Sequence, residues 1–165
     1  LYSSDLRRAT QTADILAATM GYAPIFDRRL RERNMGQWQG LTRSEIKDWY
    51  PEEYQQLLAD RDNFVLPGGE SLRHVAERVR AAFDDIHQQD AGETIGIVSH
   101  TTAVRVLLGD LVPDCEPDSM KFSNISVTSI SREGDGPWKL IRSNDISHLE
   151  GMQTTSFGEI IEDES

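Results

Sequence analysis

Three side chains in this 165-residue sequence have the chemistry to handle an anionic ester, and they fall at the same kind of place. Arg8 lies early in a helical stretch that follows a short apolar stub, Leu1-Tyr2, and the Ser3-Ser4 turn. His100 directly follows the apolar run TIGIVS at 94–99, and Thr101-Thr102 open the next helical stretch. Glu32 sits in LRERNMGQWQG, just after a weak strand-like segment, IFDRRL, at 25–30. A helix N-terminus already carries unpaired amides and the positive end of the dipole. A cation placed there adds nothing to helix stability, so Arg8 and His100 make most sense with an anion between them. Phosphate fits, because a guanidinium matches it bidentately. A carboxyl group nearby can serve as general acid to a leaving alkoxide.

Each residue also has a plainer explanation. An isolated Arg8 is better explained as an ordinary surface arginine on a helix. His100, beside a buried strand, is as well explained by a hydrogen-bonded structural histidine. From spacing alone, Glu32 reads as a surface glutamate between Arg31 and Arg33. Arg7 points about 100° away from Arg8 around the helix, so only one of the two can face a site. His74 and His87 fall on helical stretches and read as solvated or half-buried side chains. No histidine spacing suits a metal, the single Cys115 supplies no ligand pair, and neither a Walker loop nor GxGxxG is present.

The elements that must position these groups follow from the hydrophobic pattern. Ser4 reads as an N-cap for a helix whose Leu6, Ala9, Ala13, Leu16 and Met20 share a face, with Gly21 ending it. Residues 41–60 read as helix broken near Pro51. PGGES at 67–71 is a stop and restart, with Ser71 capping a helix whose apolar face is Leu72, Val75, Ala76, Val79, Phe83 and Ile86. TIGIVS reads as a strand buried on both faces. A helix over roughly 102–108 follows, then a hairpin of NISVTSIS (124–131) and WKLIRS (138–143). Alternating strands and helices indicate an α/β domain, in which ligands bind beyond the carboxyl ends of the strands. We place one domain over 1–150 and read 151–165, ending in EIIEDES, as a disordered acidic tail.

Bulk properties narrow the partners. The net charge of −11 argues against nucleic acid or an anionic membrane, though a local Arg/His cluster can still attract a small anion. No apolar run approaches a membrane span and no signal peptide is visible. One cysteine allows no internal disulfide and fits a reducing, cytoplasmic setting. Oligomeric state is not readable from the sequence.

Six segments in order resemble the histidine phosphatase superfamily, the phosphoglycerate mutase-like fold. SSDLRRATQTAD, LRERNMGQWQG, PGGES, IVSHTTAVRVLL, SNISVTSI and NDISHL together span Leu1 to about Glu150. The short stretch between Gly40 and Pro67 is more similar to the small phosphatases than to the longer mutases. The resemblance implies a three-layer α/β/α sandwich, no metal or other cofactor, and a small phosphorylated metabolite as substrate. It matches Arg8 to a phosphate-binding arginine, Glu32 to the acidic proton donor, and His100 to the second histidine, which contacts the phosphoryl group. Thr101 stands where the family has glycine. Its backbone amide can still face phosphate, but its side chain narrows the pocket. The family's nucleophile is the histidine of an Arg-His-Gly motif that this sequence lacks. The resemblance therefore implies a member without its N-terminal segment and first central strand, and without turnover in this form. The expected activity of the complete protein is phosphomonoester hydrolysis through a phosphohistidine. A mutase-type phosphoryl transfer is one alternative and a non-catalytic phosphate-binding module is another.

Overall fold

The computed structural model describes residues 1–21, 23–89, 94–113 and 115–151. The chain divides into two compact units, Leu1–Asp118 and Ser119–Ser165. All but the first residue of the expected acidic tail lies outside the described residues.

The first unit is a parallel α/β arrangement. Strand β1 (Tyr2–Ser3) leads into helix α1 (Arg7–Met20), and strand β2 (Ile25–Phe26) follows. After a loop come helices α2 (Arg43–Trp49), α3 (Pro51–Ala59) and α4 (Leu72–Gln89). Strand β3 (Ile97–Val98) then feeds helix α5 (Thr101–Leu111). The sheet order is β2-β1-β3, with β1 parallel to both neighbours. Tyr2 stands opposite Ile25 and Ile97, and Ser3 opposite Phe26 and Val98. The ladder continues past the strand, where the Ser4 amide donates to the Val98 carbonyl at 2.9 Å.

The sequence pattern explains most elements and misplaces some. The segment 25–30 is strand only at Ile25–Phe26. Asp27 then accepts the Arg29 amide and turns Arg28–Leu30 into a 3₁₀ segment. Ser4 is not the cap of α1. Leu6 holds that position without a side-chain bond, and Ser4 is used elsewhere. The buried stripe of α1 is Ala9, Ala13 and Ala17, while Leu16 and Met20 are exposed. Small side chains let the helix lie close to its neighbours. TIGIVS is strand only at Ile97–Val98 and is half-buried, as fits an edge of this three-stranded sheet. α2 carries a capping box, in which Thr42 Oγ1 accepts the Glu45 amide and the Glu45 carboxylate accepts the Thr42 amide. Pro51 opens α3 at its first turn, where its missing N–H costs nothing. Ser71 Oγ accepts the His74 amide at 3.1 Å, as its capping reading required.

Helix α4 joins two packed clusters. Ala82 and Ile86 meet Tyr2 and Leu30, while Val75 and Val79 meet Ala103 of α5. A third cluster, Trp38, Ile46, Tyr54 and Leu66, fills the space between α2 and α3. In the second unit, strand β4 (Val127–Ser131) pairs antiparallel with strand β5 (Lys139–Asp145), as the hairpin reading has it.

The two glycine-rich motifs lock together. Gln37 donates its amide to Pro67, and Glu70 donates its amide to Asn34. Gly36 is left-handed at φ 54°, and a Cβ there would collide with the Pro67 carbonyl and the Gly68-Gly69 backbone. Gly40 is also left-handed, at φ 81°, with open space around it. Gly40→Ala should therefore cost only the conformational penalty, about 1 kcal/mol. Gly36→Ala adds a backbone clash and should cost about 3 kcal/mol. Equilibrium urea unfolding of the full-length protein reads the difference. Equal costs would mean that the two loops do not meet.

Candidate active site

β1 and β3 end side by side, so the residues after them are neighbours. His100 is the N-cap of α5 and is 9% exposed. Arg8, in the first turn of α1, donates from Nε to His100 Nδ1 at 3.2 Å. Ser4 Oγ lies 2.9 Å from His100 Nε2. A guanidinium N–H can only donate, so Nδ1 is the acceptor and carries no proton. The neutral ring is then protonated at Nε2 and donates to Ser4. Ser4 Oγ also accepts the Leu6 amide at 3.3 Å. Ser4 is thus a site residue that the sequence reading missed. Arg8 sets the tautomer of His100, and Ser4 holds the orientation of its ring.

Glu32 reaches the same helix end. Its Oε2 accepts the Thr102 amide at 3.2 Å, and its Oε1 accepts the Arg33 amide at 2.8 Å. The arginines beside it face other partners. Arg31 forms a two-pronged pair with Asp5 at 2.6 and 2.7 Å, and Arg33 Nε donates to the Glu70 carbonyl at 2.9 Å. The carboxylate is therefore not spent on its neighbours. It occupies one of the free amides of α5, where a negative group is favoured. Thr101 is the first residue of α5 and is exposed. Arg8, Glu32 and His100, which the sequence reading grouped, gather at one end of the sheet in the first unit.

The electrostatics follow from this packing. Burial pushes the His100 imidazole below its ordinary value, the Arg8 charge pushes it further, and Glu32 opposes both. The ring is neutral at neutral pH. Burial also lowers the Arg33 guanidinium, helped by the like charge of Arg61 and opposed by Glu70 and Glu32. Arg33 begins the wall of a cavity of about 360 Å³, whose lining includes Trp38, Arg43, Ile46, Tyr54 and Arg61. Arg33 Nη2 and Trp38 Nε1 are buried there without hydrogen-bond partners among the described residues. Among those residues, no group of histidine, cysteine and carboxylate side chains is arranged to hold a metal ion, and no helix is long and apolar enough to cross a membrane.

A family model for the histidine phosphatase superfamily, branch 1, matches residues 1–146. The chain belongs to that superfamily. The match spans both compact units. Among relatives, phosphoglycerate mutase-like protein 4 of Arabidopsis thaliana is 37% identical over 165 residues, which cover 96% of this chain and 70% of the relative. The metal-independent phosphoserine phosphatase of the same plant is 28% identical over 154 residues, 92% of this chain and 63% of that protein. The chain thus spans less than two thirds of the phosphoserine phosphatase. A mycobacterial glucosyl-3-phosphoglycerate phosphatase, solved with inorganic phosphate, superposes with a TM-score of 0.72 at 30% identity, covering 88% of this chain and 76% of that one. The fold is the phosphoglycerate mutase-like α/β fold of the superfamily, whose members here include phosphatases.

At Nδ1, the atom that now faces Arg8, His100 can donate to an oxyanion only by gaining a proton there. Binding of phosphate or vanadate should therefore raise its pKa above the depressed free value. NMR titration of the His100 ring, assigned with His100→Gln, reads this directly. A pKa unmoved by saturating anion would place the anion elsewhere. The depression also has a sign for stability. The neutral ring stabilises the fold fully above about pH 6.5, the unfolded value. That contribution is lost as the pH falls through the lower folded value, so the melt should soften on acidification and His100→Gln should blunt the effect.

Proposed function

We propose that the complete protein is a phosphatase that hydrolyses phosphomonoesters of small metabolites in two steps. The observation that carries this reading is the meeting of Arg8, His100 and Glu32 at the N-terminus of α5. A histidine from a segment outside Leu1–Ser165 attacks phosphorus in line, forming an N–P bond as the ester P–O bond breaks. Arg8 and a protonated His100 neutralise charge on the equatorial oxygens, which is the main electrostatic task of such a transfer. Glu32 gives its proton to the leaving alkoxide. Water then attacks the phosphohistidine, Glu32 takes back a proton, and inorganic phosphate leaves. No step asks for a metal, and the expected setting is the cytoplasm. Thr101 borders the phosphate site and narrows it. The organic part of the ester is assigned to the cavity beside Arg33, whose mixed apolar and cationic lining suits a small acid with a carbon skeleton.

A mutase reading is the alternative that the 37% identical mutase-like relative favours. It needs the phosphohistidine to outlive product exchange. A module that binds phosphorylated ligands without turnover is the third possibility.

Two measurements decide among these. Rapid acid-free quench of the full-length protein with a labelled substrate should trap an acid-labile phosphoenzyme that decays to inorganic phosphate. Decay to an isomerised ester instead would make it a mutase, and neither a phosphoenzyme nor any phosphate release would make it a binding module. Glu32→Gln should slow alkyl esters by about 100-fold or more, within the range for a general acid. It should slow activated aryl esters far less, because a good leaving group needs no proton. Equal losses on both would remove the proton-donor role.

A further inference from the structure

The most heavily used side chain near the site is one that the reaction does not touch. Arg78 lies on α4, with its side chain 19% exposed. Its Nε donates to Glu70 Oε1 at 2.7 Å and its Nη2 to Glu70 Oε2 at 3.0 Å. Its Nη1 donates to the carbonyls of Arg29 at 2.7 Å and Arg31 at 2.8 Å, and Nη2 donates to the carbonyl of Glu32 at 3.1 Å. A guanidinium has five N–H groups, and these five bonds engage all of them. Three of the acceptors are main-chain carbonyls of the four residues that end at Glu32.

We propose that Arg78 is a positioning residue for Glu32, clamping the 29–32 backbone so that the Glu32 carboxylate stays at the N-terminus of α5. The proposal rests on the reading of Glu32 as proton donor. The 29–32 segment needs such a clamp. Arg28–Leu30 is one short 3₁₀ turn, Arg31 is extended, and neither supplies a ladder of its own. Ser99 Oγ takes the Leu30 carbonyl at 2.8 Å, which leaves the carbonyls on either side to Arg78. Glu70 in turn fixes the guanidinium. Its Oε2 also accepts the Asn34 amide at 2.8 Å, so the loop is gripped on both sides of Glu32. Lysine has the charge of Arg78 but only three donors and no planar fork, so it cannot hold three diverging carbonyls and a carboxylate at once.

The test is Arg78→Lys in the full-length enzyme, beside Glu32→Gln and the double variant. The clamp predicts that Arg78→Lys slows alkyl phosphates by about 10- to 100-fold, the scale of a misplaced catalytic group. Aryl phosphates with good leaving groups should change by less than about 3-fold, and the double variant should be no slower than Glu32→Gln alone. A second readout needs no turnover. The charges that act on the His100 ring are Arg8, Glu32 and Arg78. Arg78→Lys keeps its own charge, so a fall in the His100 pKa to the Glu32→Gln value, with none in the Glu32→Gln background, reports a displaced Glu32. Leaving-group ratios and a His100 pKa that both match wild type would overturn the clamp. If Glu32→Gln itself shows no leaving-group dependence, the proton-donor reading falls and takes the clamp with it. Should Arg78→Lys lose its cooperative melt, Glu70→Gln carries the same comparison. It leaves Arg78 in place and removes one carboxylate oxygen from it, and the same shifts are expected at smaller size.

Discussion

The parallel pairing of β1 with β3 is the constraint on which the site depends. Once Ser3 stands opposite Val98, and the Ser4 amide meets the Val98 carbonyl, the chain after each strand leaves the sheet at the same level. Arg8 and Ser4 are then within hydrogen-bond reach of His100 across 92 and 96 residues of sequence. The Glu32 segment has further to go. It leaves β2 on the far side of β1, so it must pass the end of β1 to reach α5. The ion pair of Arg31 with Asp5 marks that passage, and the Ser99–Leu30 bond marks its arrival beside β3. A one-residue slip of β1 against β3 would turn Ser4 away and separate Arg8 from His100.

A chain of net charge −11 needs a local exception if it is to hold a phosphate. The start of α5 offers one with few charges and much geometry. Arg8 is exposed and supplies the cation, and α5 supplies oriented amides. The imidazole between them is kept neutral by burial and by Arg8 itself. The free site is therefore less positive than its residue list suggests, which spares the fold the repulsion of two adjacent buried cations. A phosphate bound there would reverse that balance, because its charge would offset the Arg8 field and favour a proton on the ring. The arrangement would then couple binding to proton uptake.

Much of this was legible in the sequence. The strand-end rule pointed to Arg8 and His100 before any family was considered, because the rule reflects where a parallel sheet opens its amides. The break at Pro51, the Ser71 cap and the 124–143 hairpin came from local chemistry that tertiary packing does not override. Other features were set by packing alone. Leu16 and Met20 looked like core because of their type, yet α1 buries Ala9, Ala13 and Ala17 and leaves both larger side chains exposed. Ser4 looked like a cap because serine after a strand usually is one, while its oxygen is in fact taken by a histidine 96 positions away. The signal for Arg78 was present and went unread. It lies three residues after Val75 and four before Ala82, on the face that the buried residues define. A charge on a buried face demands partners, and that demand is a structural statement in itself.

The same logic distinguishes the two carboxyl groups near α5. Glu70 and Glu32 lie on segments that touch, and both accept backbone amides. Burial alone would push the Glu70 carboxyl up. The Arg78 fork, the Asn34 amide and the charge of His74 outweigh that and hold it below the ordinary carboxylate range. Glu70 is therefore ionised at neutral pH, with Oε1 taken by Arg78 and Oε2 shared between Arg78 and Asn34. A proton on either oxygen would break a charge-assisted bond to a guanidinium that has no other counter-ion in reach of its Nε. Among the described residues, Glu32 has no arginine on its carboxylate. Its two bonds come from the backbone amides of Arg33 and Thr102, the second in the first turn of α5. The acidic residue of PGGES is committed to the scaffold through Arg78, while the Glu32 carboxylate is held by backbone amides at the start of α5.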